Sequence, residues 1–236
     1  MSQIFHFENC FSTNDEILSL LNEDESTAVF TFNQTKGRGQ YGNIWKVIPN
    51  QNLAYSIAIK TSNIRISDTF LNYYTAIIVR DFLANLTNAS CKIKWPNDII
   101  LNGKKGCGIL IEKKKFENVE YYIIGIGINV LQTDFSNLPK AGSVLTATDL
   151  SFDLKEFTNQ FHQYLISRIQ DINPEEEILN IYNQSLFRKD EISVFQKNNL
   201  RQNGIIKNAD KNGFLWIELE NEGLQKFFHK EIELLY

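Results

Sequence analysis

Lys94-Trp95-Pro96-Asn97-Asp98-Ile99-Ile100-Leu101-Asn102-Gly103-Lys104-Lys105-Gly106-Cys107-Gly108-Ile109-Leu110 is the stretch from which the rest of the chain can be read. Asn102-Gly103 separates two short apolar runs, 99–101 and 109–112. Both residues tolerate the left-handed backbone of a two-residue hairpin, so a tight turn is expected here. The hairpin brings Asp98 to one end and Lys104 and Lys105 to the turn or the inner face. A half-buried lysine in such a place is costly unless it meets an anion. Lys113, Lys114 and Lys115, further along, read as solvated surface charges.

Toward the N-terminus, residues 67–86 place Phe70, Tyr73, Tyr74, Ile77, Ile78, Phe82 and Leu86 at helical spacing, which predicts one long helix. Residues 27–32 and 52–60 alternate and are rich in β-branched and aromatic side chains, so both read as strands. A first helix opens at Ser12-Thr13-Asn14, where Thr13 with Glu16 three residues later matches a capping box. Toward the C-terminus, residues 121–130 are apolar enough for a strand buried on both faces. Helices follow at 154–169 and 175–186, the second opened by Pro174.

From Arg188 the texture changes. Short strands at 192–195, 204–207, 214–219 and 224–228, with turns such as Asn212-Gly213, predict a small all-β barrel. Alternation assigns Trp216 to its core. The expected class is α/β (α+β), a mixed sheet packed with helices over residues 1–187, joined without a flexible linker to a small C-terminal β-barrel over 188–236.

Composition excludes several functions. Of the 236 residues, 43% are hydrophobic and 22% charged, which is ordinary for a globular chain and rules out extensive disorder. No apolar run approaches the roughly 20 residues of a membrane helix, and no signal-like segment opens the chain, so a cytoplasmic location with no membrane is expected. Twenty-four basic against twenty-eight acidic residues give a net charge of −4, which argues against binding to DNA through its backbone. Cys10, Cys91 and Cys107 have neither disulfide nor zinc spacing and read as buried thiols, and no metal ligands are assigned to the protein. His6, His162 and His229 pair with no nucleophile and read as surface or packing residues.

Eight of the twelve glycines fall in three clusters: Gly37, Gly39, Gly42; Gly103, Gly106, Gly108; and Gly125, Gly127. Such clusters serve as turns or free backbone amides to approach an anionic ligand. The first lies in Gln34-Thr35-Lys36-Gly37-Arg38-Gly39-Gln40-Tyr41-Gly42-Asn43-Ile44-Trp45, where Arg38 offers a fork of donors and Trp45 an apolar plate. Neither a Walker motif nor a dinucleotide fingerprint fits this spacing.

The loop Gly37 to Trp45, the unbroken Lys94-Trp95-Pro96-Asn97-Asp98, Lys105 before Gly108-Ile109-Leu110, Gly125-Ile126-Gly127-Ile128-Asn129, and the early Ser12-Thr13-Asn14 together resemble the motifs of biotin protein ligases, in the same order across residues 12–130. The resemblance implies a class II synthetase-like catalytic domain, an SH3-like C-terminal domain, ATP and biotin as substrates, and Mg²⁺ bridging phosphates. It implies adenylation of biotin and transfer to a lysine of a biotin carboxyl carrier protein, the acceptor domain of a carboxylase. Family dimers pair sheet edges, so a homodimer is admitted.

By the same resemblance, Lys105, Arg38 and Asp98 carry the catalysis, with Asp98 either orienting a lysine or helping to position Mg²⁺. Ser12, Thr13, Gln34, Gly37, Arg38, Lys105, Gly108 and Leu110 meet biotin. Gln40, Trp45, Lys94, Asn97 and Asn129 meet ATP or the adenylate, and Glu231 could reach the ATP side. Two departures stand out: Gln40 replaces a second Arg common in bacterial members, and Asn43 another basic residue. Ser12-Thr13-Asn14 lies so near the first residue that a form without the family's N-terminal DNA-binding domain is expected. Alternatives are a lipoate protein ligase of the same fold, whose different glycine-rich signature is absent, and a non-catalytic binder of biotin or nucleotide.

Overall fold

A computed structural model describes residues 3–21 and 26–236. Its centre is a seven-stranded sheet assembled from β1 (Gln3–His6), β2 (Thr27–Thr31), β5 (Asn52–Lys60), β6 (Cys91–Lys94), β7 (Asp98–Leu101), β8 (Lys104–Phe116) and β9 (Val119–Asn129). The spatial order is β1-β2-β5-β9-β8-β7-β6, and the sheet is mixed because β1 runs parallel to β2 while the other pairs are antiparallel. Between β2 and β5, β3 (Gly37–Arg38) and β4 (Ile44–Trp45) make a separate two-stranded hairpin.

One face of the sheet is covered by α2 (Asp68–Thr87), α4 (Leu154–Ile169) and α5 (Glu175–Gln184), and α3 (Val144–Thr148) closes the end of β9. Alternation along β9 sends Tyr122, Ile124, Ile126 and Ile128 into this helical side, joined there by Tyr55, Ile57, Cys107 and Ile109. The opposite face carries only a smaller apolar cluster, Ile17, Val29, Ala58, Tyr121 and Ile123, under α1 (Thr13–Glu16) and the 3₁₀ turn that follows it. Small residues cluster at the centre of that face. Ala54, Gly127 and Gly108 form one row across β5, β9 and β8, and Ser56, Gly125 and Leu110 form the next.

The tight turn forms as expected, with Asn102 at φ 43° and Gly103 at φ 84°. Beyond it the register slips: Ile99 pairs with Cys107 but Ile100 pairs with Lys105, leaving Gly106 as a β-bulge. This one extra residue has a large effect. Unbulged alternation would put Lys105 on the same buried face as Cys107, and the bulge turns it to the open face with Gly108.

The C-terminal part is a five-stranded antiparallel sheet, β10 (Ile192–Lys197), β11 (Leu200–Ala209), β12 (Leu215–Leu219), β13 (Gly223–Phe227) and β14 (Glu233–Leu235), in the order β13-β12-β11-β10-β14. It joins the larger sheet through a hydrogen-bonded seam. Ile93 donates its N–H to Ser185 and accepts one from Phe187, both at 2.8 Å. Asn183 then exchanges two side-chain hydrogen bonds with the backbone of Ala209.

Several local expectations are corrected. Ser12, not Thr13, occupies the N-cap of α1, and no side-chain cap forms: the Ser12 carbonyl accepts the Asp15 and Glu16 N–H groups, and the Thr13 N–H goes to Gln34 Oε1 at 2.8 Å. The α-helix is a single turn that passes directly into a 3₁₀ turn over Ile17–Leu20. Trp216 is only half-buried: Leu215, Ile217 and Leu219 face the core, and the indole N–H of Trp216 donates to Asp210 at 2.8 Å. Lys114 is not merely solvated, since it bridges to Asp15 at 2.7 Å. The three cysteines are buried and free, with burial pushing the Cys10 and Cys91 thiols up to about 11.

Candidate active site

The small-residue rows of the open sheet face are the floor of a cleft of about 760 Å³, solvent at its mouth included. Ser12, Thr13, Gln34, Arg38, Gln40, Trp45, Asn97, Asp98, Lys105, Gly108 and Leu110, all named from sequence, line it. They arrive from the start of α1, the β2–β3 connection, the β3–β4 hairpin, the turn before β7, β7 itself and β8.

The walls follow from what the glycines lack. The Trp45 indole lies directly on the Gly108–Gly127 row, where a Cβ on Gly127 would stand only 2.6 Å from the indole nitrogen. A Cβ on Gly125 would strike the Asn14 carboxamide. Gly37, beneath the loop, is likewise required by close approach to the Trp45 backbone and Gln34. Bare backbone thus lets one aromatic plate and one amide close onto the sheet.

At one end Ser12, Thr13 and Gln34 line the cleft with polar, uncharged side chains. Gln34 Oε1 accepts from the Thr13 N–H at 2.8 Å and from its hydroxyl at 3.2 Å, and Ser56 Oγ lies 2.7 Å from Thr13 Oγ1 and 2.6 Å from Asn14 Oδ1. Asn14 also donates to Glu112 at 2.7 Å. At the other end stands charge. Lys105 Nζ meets Asp98 Oδ1 at 2.7 Å, with the second oxygen of Asp98 3.7 Å from Lys94. The Lys105 ammonium lies 5.8 Å from the centre of the Trp45 ring. Pro96, which leads into Asp98, has its carbonyl held by Tyr182 at 2.9 Å and Asn72 at 3.1 Å, so helices α5 and α2 fix the carboxylate's position.

Arg38 is engaged outside this charged end. Its guanidinium grips Asp15 with two hydrogen bonds and reaches Glu112 at 3.4 Å. That fork holds the Asp15 carboxyl well below the usual carboxylate range, Lys114 acting in the same sense. The Asn97 side chain donates to the Ile109 carbonyl. Lys94 and Asn129 are not brought into this cleft. Lys94 lines an adjoining cavity between the two sheets, with Trp95, Phe187, Phe195, Lys230 and Glu233. Burial, with help from Lys105 and Lys140, pulls its pKa down against the opposing pull of Asp98. Asn129 is buried and donates to the Gly142 carbonyl at 2.9 Å.

Sequence reasoning missed His229. It is half-buried, lines both the cleft and the adjoining cavity, and packs its ring 4.8 Å from Tyr41 and 5.7 Å from Trp95. Burial, then the charge of Lys94, lowers its pKa. No local pattern marks it, because its neighbours come from segments more than a hundred residues away. Glu231 does not point its carboxylate at the cleft: it accepts the Phe228 N–H at 2.6 Å, closing its own turn. Among the described residues no group of three or more His, Cys, Asp or Glu could hold a metal ion.

The cleft has a glycine floor, an indole wall and a lysine–aspartate end, and the sequence profile of the biotin/lipoate A/B protein ligase family matches residues 9–129, just over half of the chain. The chain belongs to that family. Its relatives include the bifunctional ligase/repressor BirA of Bacillus subtilis, 36% identical over 112 residues that cover 47% of this chain and 34% of that protein. Another is the biotin–[acetyl-CoA-carboxylase] ligase of Paracoccus denitrificans, 33% identical over 137 residues, covering 56% and 55% respectively. The chain therefore spans between a third and just over half of the length of these relatives. Among solved structures, the Aquifex aeolicus biotin protein ligase in complex with biotin and ATP superposes with a TM-score of 0.81 at 22% identity, covering 98% of each chain, which establishes the shared fold.

Proposed function

We propose that this protein is an ATP-dependent biotin protein ligase. A biotin carboxylate oxygen attacks the α-phosphorus of ATP, the bond to the bridging oxygen breaks, and pyrophosphate leaves. The amine of a carrier lysine then attacks the acyl carbon of biotinyl-5′-AMP, loses a proton and displaces AMP. The observation that carries this reading is the placement of Lys105 by the Gly106 bulge, at the opposite end of an indole-walled cleft from the uncharged Ser12, Thr13, Gln34 group.

Carboxylate and triphosphate repel, so the first step needs a cation aimed where charge accumulates. Lys105 supplies it, and Asp98 orients the ammonium by accepting one of its hydrogen bonds. Ser12, Thr13 and Gln34 take the ureido head, exchanging hydrogen bonds they now make with one another. Gly108, Leu110 and Trp45 line the acyl chain. Arg38, fixed on Asp15, holds the base of the loop, and Gly37 lets that loop close. Asn97 faces the nucleotide side with Gln40, while Lys94 and Asn129 act from the margin of the cleft, Lys94 through the adjoining cavity.

The residues fit Mg²⁺ carried by substrate phosphates, with Asp98 as a carboxylate lining the cleft, and not a cage made by the protein alone, since among the described residues no group of three or more His, Cys, Asp or Glu could hold a metal ion. When bound, the ion would neutralise phosphate charge. The acceptor is a carboxyl carrier domain of the kind acted on by the ligases this chain resembles.

Lipoate is the competing acid. Its dithiolane ring offers no hydrogen bonds, so Ser12, Thr13 and Gln34 would be covered without gaining the partners a ureido head supplies, a mismatch that such sites reject. Exchange of labelled pyrophosphate into ATP tests both readings. Exchange is expected with biotin and not with lipoate; the reverse dependence, or none on either acid, would sink the proposal.

A further inference from the structure

The glycine loop is fixed at its base by Arg38 on Asp15 and by Trp45 on the sheet floor, but its tip is held by the other domain. Tyr41, at φ 54°, turns outward with more than half its surface exposed and rests its ring against His229, at 4.8 Å and 56°. Lys230 donates to the Tyr41 carbonyl at 3.1 Å and places its ammonium 5.0 Å from the Tyr41 ring centre. The two partners sit in a turn built to present them. Lys230 itself takes a left-handed conformation, φ 72°, and the turn is closed by Glu231 N–H to the Phe228 carbonyl and by Glu231 Oε2 on the Phe228 N–H. Backbone strain at a non-glycine residue persists only where the surroundings require it. Behind His229 stands Trp95, so an aromatic column runs from the loop tip through the C-terminal turn to the residue before Pro96.

The loop needs such support. Its own pairing is two residues long on each side, and Gly39, Gly42 and the neutral Gln40 and Asn43 give the tip no charge with which to grip a ligand. We infer that Tyr41, His229 and Lys230 form an interdomain latch, and that these positioning residues set how long the acyl-adenylate is retained before an acceptor lysine takes it. The inference rests on the adenylate-forming reading above, but the latch has a readout independent of it.

The test compares wild type with Tyr41→Ala, Tyr41→Phe and Lys230→Met. Adenylate is formed from biotin and ATP, excess is removed, and loss of bound biotinyl-AMP is followed in a chase. Tyr41→Ala is expected to shorten retention by about tenfold and Lys230→Met by a smaller factor, with the single-turnover rate of adenylate formation held within about twofold. Tyr41→Phe keeps the ring and the carbonyl and should behave as wild type. In parallel, proteolytic cleavage after Arg38 in the ligand-free proteins should be faster for Tyr41→Ala alone of the two Tyr41 variants. Retention and cleavage in Tyr41→Ala equal to wild type, or Tyr41→Phe as impaired as Tyr41→Ala, would overturn the latch. If wild type forms no adenylate, the ligase reading fails and the cleavage comparison decides the latch by itself.

Discussion

Replacing Lys105 by alanine separates catalysis from folding, because the structure assigns very different sizes to the two effects. The Lys105 side chain is 33% exposed and that of its partner Asp98 16%. A partly exposed ion pair of this kind contributes within about 1 kcal/mol to stability. Asp98 is not stranded by the change, since Lys94 remains 3.7 Å from its other oxygen. For a chain of this size that loss lowers Tm by roughly 2–4 °C at most. In the proposed adenylation the same ammonium would face charge developing on the α-phosphate. Removing one such group typically costs about 3–4 kcal/mol, or 10²- to 10³-fold in rate. Pyrophosphate exchange at saturating biotin and ATP, together with a melting curve, should therefore show a large catalytic loss on a nearly unchanged fold. Exchange within about threefold of wild type in a variant that binds biotin normally would refute the assignment.

Gly127→Ala should force the Trp45 indole off the floor, since the new methyl would sit 2.6 Å from Nε1 and 2.8 Å from Cζ2. Overpacking of this kind costs about 1–3 kcal/mol, so biotin affinity should fall about tenfold or more by calorimetry, and unchanged affinity would show that Trp45 does not wall the ligand. Residues 37–45 should be cleaved after Arg38 more slowly when biotin and ATP are present, because fixing a glycine-rich loop costs entropy that a ligand offsets; equal rates would argue against closure. Asp15, with its carboxyl pKa depressed by Arg38, contributes stability that is fully present above its unfolded value near 3.8 and is lost as pH falls below it. Since Asp15 is about half exposed, Asp15→Asn should lower urea stability by less than about 1 kcal/mol at pH 7, with the difference shrinking below about pH 4; a difference constant from neutral to strongly acid pH would contradict this.

What the sequence made legible was local. The Asn102-Gly103 turn, the long helix capped by Ser67, the alternation of β5 and the order of the glycine clusters each depend on a few neighbouring residues, and each appears in the fold. The misses arose where a distant partner outbid the local preference. Thr13 reads as a helix cap until Gln34, far along the chain, takes its N–H; Trp216 is a different case, since it alternates with the inward-facing Leu215 and Ile217 and so turns out of the core. The Gly106 bulge is invisible to alternation, yet it decides which way Lys105 points. Short elements such as α3 and β14 carry too few residues for periodicity to register. His229 joins the cleft only because two sheets dock, and nothing in residues 224–231 announces that encounter.

The seam at Ser185 to Phe187 gives the molecule a thermodynamic character of its own. Phe195, Ile206, Ile217 and Leu219 of the C-terminal sheet belong to the same continuous apolar core as Ile93, Trp95 and Tyr182 of the larger one, and the joining strand is hydrogen-bonded on both sides of Ile93. Two bodies that share a core and a backbone ladder have no boundary along which to melt separately, so heating should give a single calorimetric transition whose van't Hoff and calorimetric enthalpies agree. Subglobal opening of the C-terminal sheet would strip the cleft of His229 and loosen Trp95 in the same event. Folding and competence for chemistry are thereby made one cooperative unit, and no temperature window should exist in which the smaller sheet has melted while the larger one still turns over.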